Sequence, residues 1–335
     1  MNTLLVDGNS LLQTGFHGVK DYYHNGKHFG AIFHFLNTIR KNLLEKDYDK
    51  VVVFWDGKNN ASYRQEVYPN YKTNRRKRLN EEQQEDLFRQ KYRITQYLEE
   101  IFVRQAEFDN CEADDCISFY CNNSKDEYKL ILTNDKDLGQ LVNENTDIIF
   151  LNNGKKIEYP EKINISKLTI PTDNVTLLKV LLGDKSDNIK GIKFLGEKTL
   201  KSYFPEIEER KITLEEVRKK ASSLVNEEKI KNRGLNNLIG GICSDGREGE
   251  DFFSTNTTLV DLQKVFLSEE AKEVILSLIN EKLDPTGRDY ETIVSLMVED
   301  GIFNVLPKKD DGWTEFYKPF IRLTKKEIKN YERKN

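Results

Sequence analysis

Nine carboxylates fall in five short clusters: Asp7 in LLVDGNS, Asp56 in VVVFWDG, Glu112, Asp114 and Asp115 in CEADD, Asp135 and Asp137 in LILTNDKD, and Asp184 and Asp187 in GDKSDN. So many negative charges can share a crevice only with bound cations. Oxygen donors without His or Cys suit a hard metal, magnesium or manganese. Glu112 and Asp115 are three apart and share a helical face, with Asp114 beside them at the helix start. Asp135 and Asp137 flank Lys136 after the apolar run Tyr128 to Leu132, and Asp184 and Asp187 bracket a short loop after Val175 to Leu182. Two metals about 3.5–4 Å apart clamp the attacking and leaving oxygens of an in-line phosphoryl displacement. One acidic pair alone is usually a cap or a solvated turn. Five together predict a two-metal site.

Each cluster lies where an apolar run ends, and runs such as Leu4 to Val6 and Val51 to Trp55 read as buried parallel strands. Ligand sites in open α/β sheets form outside the carboxyl ends of such strands. Strand-like runs at 2–6, 50–55, 128–132 and 147–151 alternate with helix-period segments at about 30–46, 85–105, 112–122 and 136–142. That alternation predicts an α/β fold with a central, mostly parallel sheet flanked by helices. Between Tyr68 and Arg93 the apolar stripe fades and the first half turns basic, with Lys72, Arg75, Arg76, Lys77 and Arg78. The segment reads either as a solvated helix-loop region or as a helical arch, about 68–95, whose cations and tyrosines (Tyr68, Tyr71, Tyr92) meet phosphates and stack on bases.

Beyond about residue 172 helical patterns dominate, at 174–182, 197–204, 213–226, 268–282 and 289–300. The expected organisation is a catalytic α/β unit over 1–171 and a helical DNA-binding region over 172–335. In GDKSDNIKGIKFLGEKTL, Gly191 and Gly196 punctuate a helix-turn-helix at about 183–205, whose exposed amides bind phosphate without reading bases. The tail mixes Trp313, Phe316, Tyr317 and Phe320 with lysines. It reads as a helix and strand packed on the body, the alternative being a basic partner-binding tail.

The chain has 335 residues, mean hydropathy of −0.67 and no apolar run of membrane-spanning length. It opens directly into a strand without the pattern of a secretory signal, so a cytoplasmic location is expected. Cysteines at 111, 116 and 121 do not match zinc spacing and read as reduced, buried thiols. The four histidines have no Ser or Cys placed for a catalytic triad. With the nine clustered carboxylates set apart from the net charge of −4, the rest of the chain carries +5, bunched at Lys72 to Arg78, Lys190 to Lys201 and Lys318 to Lys334. A nucleic-acid partner is therefore compatible with an acidic pI.

The motifs LLVDGNS, FWDG, YPNYKTNR, EADD, TNDKDLGQL and GDKSDNIKG…GEKT, in this order over residues 1–205, resemble the 5′-nuclease superfamily of flap endonucleases and 5′→3′ exonucleases. The later segment LDPTGRDYETIVSLMVEDGIFNVL is similar to the family's phage replication branch, the ribonuclease H that removes RNA primers. The resemblance implies that Asp7, Asp56, Glu112, Asp114 and Asp135 surround a first magnesium ion, and that Asp115, Asp137, Asp184 and Asp187 hold or orient a second. It implies that Lys72 approaches the scissile phosphate with Arg75 as its basic neighbour, and that Tyr71 stacks on the terminal base. Arg76, Lys77 and Arg78 become general backbone contacts, and Gly191, Gly196, Lys198 and Thr199 contact duplex phosphate.

Two departures stand out. GIKFLG has Phe194 where the family turn has its middle glycine, so a monovalent cation dependent on that turn loses one of its supports. An Arg that many members carry after the first Asp motif is missing from NSLLQTGFHG, leaving that contact to another residue such as Lys20.

The resulting expectation is a magnesium-dependent, structure-specific 5′ nuclease, monomeric, acting on DNA and RNA–DNA hybrid with 5′ ends or flaps. The resemblance implies a single-strand-binding protein and a sliding clamp as partners, and the host cytoplasm as the location of a phage enzyme. The alternatives are a PIN-type ribonuclease, which length, arch and GDKSDN segment oppose, a small-molecule phosphatase, which the basic stripes oppose, and a non-catalytic DNA-junction binder, in which an acidic ligand would have been lost.

Overall fold

The run NTLLVD forms β1 (Asn2–Asp7), and the alternation of its side chains divides the core in two. Leu4 and Val6 enter one apolar layer and Leu5 the other, as the period of two along a strand requires. Thr3 to Asp7 are all buried, because both faces of the sheet are covered, and such strands read as unbroken apolar runs. Each fully buried Leu or Val here contributes about 1.5–3 kcal/mol. The computed structural model describes residues 1–74, 79–288, 290–306 and 312–332.

After β1 come α1 (Gly8–Gly18), a hairpin of β2 (Tyr23–His24) and β3 (Lys27–His28), α2 (Gly30–Glu45), β4 (Lys50–Asp56), α3 (Ser62–Val67) and α4 (Glu81–Glu100). The chain continues through β5 (Arg104–Phe108), α5 (Ala113–Asn123), β6 (Tyr128–Thr133), a 3-10 turn at Asp137–Leu141, β7 (Thr146–Phe150) and β8 (Lys155–Ile157). The sheet order is β5-β4-β1-β6-β7-β8, parallel throughout except for the edge strand β8. From β1 the chain steps outward to β4 and β5, then crosses back over β1 to β6. The reversal between β1 and β6 is the switch point at which open α/β sheets bind ligands. Asp7 ends β1 beside it, and Asp135 follows β6.

Beyond the sheet lie the hairpin β9 (Lys162–Ile165) and β10 (Leu168–Pro171), α6 (Val175–Leu182), and the two-residue strands β11 (Gly183–Asp184) and β12 (Ile189–Lys190). Then follow α7 (Glu197–Tyr203), α8 (Glu206–Glu209), α9 (Leu214–Asn226), α10 (Arg233–Gly240), α11 (Gly249–Val260), α12 (Glu269–Asn280), α13 (Tyr290–Asp300) and α14 (Gly312–Glu332). The helix-turn-helix stretch consists of α6, the β11–β12 hairpin and α7. Phe316, Tyr317, Phe320 and Leu323 of α14 share the apolar layer of α2 and α4. A buried ion pair, Arg104 to Glu327 at 2.9 Å, ties α14 to the edge strand β5.

Two local readings change. The helix expected over 85–105 runs from Glu81 to Glu100, because Phe102 turns the chain at φ 62° and RQAEF then enters the sheet. The strand expected in the tail is absent, since 312–332 is helical throughout. All four cysteines are buried free thiols. Among the described residues no helix is long and apolar enough to cross a membrane.

Candidate active site

Asp7 is the N-cap of α1: its Oδ1 accepts the Ser10 N–H at 3.0 Å, and its Oδ2 accepts the Thr133 hydroxyl at 2.8 Å. A carboxylate is a favoured cap because it satisfies an unpaired amide of the first turn. The next residue must be small, since a Cβ on Gly8 would lie 2.5 Å from the Trp55 ring. That close approach seats α1 on β4. Asn9 can then donate to Asp56 Oδ2 at 2.9 Å while the Ala113 N–H donates to Asp56 Oδ1, also at 2.9 Å. Asp56 thus joins the starts of α1 and α5. Beyond β6, the Asp135 N–H donates to Thr133 Oγ1 at 2.9 Å and the Asp137 N–H to Asp135 Oδ1 at 2.8 Å.

These links build a cavity of about 520 Å³ whose walls include Asp7, Asp56, Glu112, Asp114, Asp135 and Lys72. Burial, followed by repulsion from Asp135 and Asp7, pushes the Asp114 carboxyl well above its ordinary range. Burial also pushes Asp7 up to about 6, with Asp56 adding repulsion. Adjoining through Asp135, the carboxylates of Asp137, Asp184 and Asp187 present oxygens within 4.8 Å of one another. Asp137 is pushed up to about 7, first by burial and then by Asp135. Crowded, protonation-prone carboxylates with no nitrogen or sulfur donor among them fit hard divalent cations.

Two cations that sequence reasoning missed, one half-buried and one buried, divide the acidic residues. Lys179 of α6 lies 2.6 Å from Asp137 Oδ1 and also pairs with Asp184. Burial acts to lower its pKa, but these two carboxylates hold the ammonium well above its ordinary range. Arg64 of α3 is 3% exposed and pairs with Asp115 at 2.5 and 2.9 Å, with Glu112 Oε2 at 3.3 Å from the same guanidinium. The signal for Lys179 was a single charge inside VTLLKVLL, five residues before Asp184. Arg64, in ASYRQEV, carried no comparable signal.

Three expectations change with these contacts. Asp115 is fully buried; its oxygens accept from Arg64 and from the Phe266 N–H at 3.2 Å, so it braces α3 against α5 instead of facing a metal. Tyr71 is 2% exposed and has no ring face open to a base; its hydroxyl lies 3.1 Å from Glu112 Oε2 and 3.2 Å from Asp187 Oδ2. Gly191 is buried, its carbonyl taken by the Ser244 N–H at 3.1 Å, and a Cβ there would lie 2.2 Å from the Leu182 carbonyl carbon. Chain crossing, not phosphate contact, reserves that position for glycine.

Lys72 sits at the cavity wall, its Nζ 2.5 Å from Glu112 Oε1 and its backbone N–H donating to the Asp187 carbonyl at 2.9 Å. Burial acts upward on Glu112, but Lys72 and Arg64 hold its pKa below the usual value. Asn74 donates to the Lys185 carbonyl and Asn188 to the Asn70 carbonyl, so residues 70–74 are docked on the 184–190 loop. Arg75, Arg76, Lys77 and Arg78 lie outside the described residues. Gly196 is the N-cap of α7, with Lys198 exposed and Thr199 half-buried.

The sequence model of the 5′-3′ exonuclease N-terminal, resolvase-like domain matches residues 2–168. The 5′-3′ exonuclease of Halalkalibacterium halodurans is 34% identical over 207 residues, which span 58% of this chain and 67% of that protein. The chain is an enzyme of the 5′-3′ exonuclease family. The fold of this family member is also that of the bacteriophage T5 5′-exonuclease solved with zinc ions, at TM-score 0.59 and 16% identity, over 90% of this chain and 99% of the other. A bacteriophage T5 flap endonuclease solved with DNA and metal ions aligns at TM-score 0.57 and 15% identity, over 90% and 98% of the two chains.

Proposed function

We propose that this family member is a structure-specific 5′ nuclease, both 5′→3′ exonuclease and flap endonuclease, that uses two magnesium ions, replaceable by manganese. Its role would be to remove RNA primers and 5′ flaps during phage DNA replication, beside a single-strand-binding protein and a sliding clamp. The observation that carries the reading is the cavity at the sheet's switch point, lined by five carboxylates and Lys72 and adjoined by the Asp137, Asp184 and Asp187 cluster.

Asp7, Asp56, Glu112, Asp114 and Asp135 would hold one ion, and Asp137, Asp184 and Asp187 the other. Bound divalent cations supply charge neutralisation at the phosphate and acidify water enough for it to act as nucleophile near neutral pH. Lys72 exchanges Glu112 for the scissile phosphate and stabilises the charge that grows on its oxygens. Its backbone tie to Asp187 aims that ammonium at the boundary between the two clusters. Tyr71, wedged between Glu112 and Asp187, fixes the separation of the carboxylates on which the ions depend. The products carry a 5′-phosphate and a 3′-hydroxyl. Gly196, Lys198 and Thr199 at the start of α7 grip duplex backbone by shape, and Arg75, Arg76, Lys77 and Arg78 add phosphate contacts. Nothing in these contacts reads bases.

Three labelled substrates test the reading in magnesium: a 5′-flapped duplex, a nicked duplex with an RNA 5′ segment, and single-stranded RNA. Flap-length or short 5′ fragments from the first two support it. Cleavage of the RNA alone would favour a PIN-type ribonuclease, and binding without cleavage a junction binder.

A further inference from the structure

Lys72 carries its side chain from a left-handed backbone, φ 57°, which a lysine keeps only where its surroundings hold it. One hold is the loop after β11. The Asp187 carbonyl accepts the Lys72 N–H at 2.9 Å, and the Asn188 side chain donates to the Asn70 carbonyl at 2.8 Å and to Thr73 Oγ1 at 3.1 Å. The turn that these bonds grip begins at Tyr68, whose carbonyl accepts the Tyr71 N–H at 2.9 Å. Tyr68 is 6% exposed.

A second hold comes from residues 243–247, between α10 and α11. The Tyr68 hydroxyl donates to Asp245 Oδ2 at 2.9 Å. Arg247 takes the same carboxylate, Nη2 to Oδ2 at 2.8 Å and its backbone N–H to Oδ1 at 3.2 Å, and its guanidinium lies 4.5 Å from the Tyr68 ring centroid. Burial acts upward on Asp245, but hydrogen bonds from Arg247, Cys243 and Tyr68 hold its pKa at about 2. The phenol therefore donates to an ionised acceptor, the stronger kind of hydrogen bond. The 243–247 turn is itself fastened behind the hairpin of β11 and β12. The Ser244 N–H and hydroxyl both donate to the Gly191 carbonyl, at 3.1 and 2.9 Å. A closed ring results, from Lys72 through Asp187, β12, Gly191, Ser244 and Asp245 to Tyr68 and back.

We propose that Tyr68, Asp245 and Arg247 bolt the root of Lys72 in place, which makes the 243–247 turn a positioning element for phosphodiester cleavage. The inference rests on the proposed nuclease role, in which the Lys72 ammonium exchanges Glu112 for the scissile phosphate. A side chain that changes partner keeps its aim only if its backbone stays fixed, and a misplacement of about 1 Å can cost about a hundredfold in rate. Without the bond from phenol to carboxylate, the turn relaxes and Lys72 leaves its left-handed conformation. The three residues act through Lys72 and not on the phosphate.

The test is single-turnover cleavage of a 5′-labelled flap by the full chain in saturating magnesium, with flap affinity read in calcium. Tyr68→Phe keeps the ring beneath Arg247 and removes only the hydroxyl. It should slow cleavage about tenfold and leave affinity unchanged. In a Lys72→Ala background the same exchange should alter the rate less than about twofold, since the group it positions is gone; the double-mutant cycle isolates that coupling. Asp245→Ala, on a surface turn, should repeat both results. Equal slowing in the two backgrounds, or no slowing in either, overturns the bolt and leaves the nuclease reading standing. A wild type that cuts no flap removes both.

Discussion

Arg64 and Asp115 form a bidentate ion pair inside the protein, Nη1 to Oδ2 at 2.5 Å and Nη2 to Oδ1 at 2.9 Å, and the pair splits the CEADD motif by role. Asp114, one residue earlier, lines the cavity and is crowded by other carboxylates. Neutralising the two neighbours should therefore shift stability in opposite directions. Asp115→Asn takes the bidentate carboxylate from buried Arg64, leaving Glu112 at 3.3 Å as its carboxylate partner, and should cost about 3–5 kcal/mol. Asp114→Asn removes repulsion and should raise the melting temperature of the cation-free protein while abolishing cleavage. Paired denaturation curves in EDTA check both signs.

Burial and like charge raise Asp7 to about 6 and Asp137 to about 7 in the folded protein. Between the ordinary carboxylate range and these values the folded chain holds more protons than the unfolded chain. The stability from these groups is thus complete below about pH 4 and is lost as pH rises through 6 to 7. In EDTA their share of the melting temperature should fall from pH 5.5 to 8. Divalent cations replace those protons, so stabilisation by magnesium should grow over the same interval. Melting curves at stepped pH, with and without magnesium, measure both trends.

Lys179 already neutralises part of the Asp137–Asp184 cluster. Lys179→Met should destabilise the cation-free protein and tighten divalent binding, because the competing ammonium is gone. Calorimetric titration with manganese reads the affinity. Unchanged affinity would mean that the lysine and the cation do not share those carboxylates.

For Lys72→Ala the loss should fall on turnover, by about 10²–10³-fold, with affinity for flapped DNA little changed. A uniform weakening of binding with a shallower salt slope would make it an ordinary phosphate contact. Asp135→Asn should likewise abolish turnover while keeping or raising affinity, since a negative charge near the phosphate has been removed.

The strands that carry the site were legible because a parallel strand covered on both faces carries a continuous apolar stretch, as LLV in β1, VVVFW in β4, LIL in β6 and IIF in β7 do. β5 was hidden: it is an edge strand whose RQAEF alternates polar and apolar, and it follows a helical period without a break in composition. α1 was hidden by its glycines at 8, 15 and 18, two of which serve close packing against Trp55 and the α2 backbone at Ala31. The acidic set could be read because carboxylates at strand ends have few bland explanations. Which carboxylates face the cavity could not, because that depends on Arg64 of α3 and Lys179 of α6, which only the fold brings to them. Tyr71 was misread for the same reason: its ring borders Arg64 and Lys72, and its hydroxyl borders two carboxylates, none of which is near in sequence except Lys72.

The central claim is that two acidic clusters hold the cations on which phosphodiester cleavage depends. Its most direct test is the single-turnover rate on a 5′-labelled flap as magnesium is raised from an EDTA baseline. The account predicts no cleavage in EDTA and a rate that climbs with a Hill coefficient above one, as two ions require. Cleavage that persists in EDTA, or none at any magnesium concentration, would contradict it.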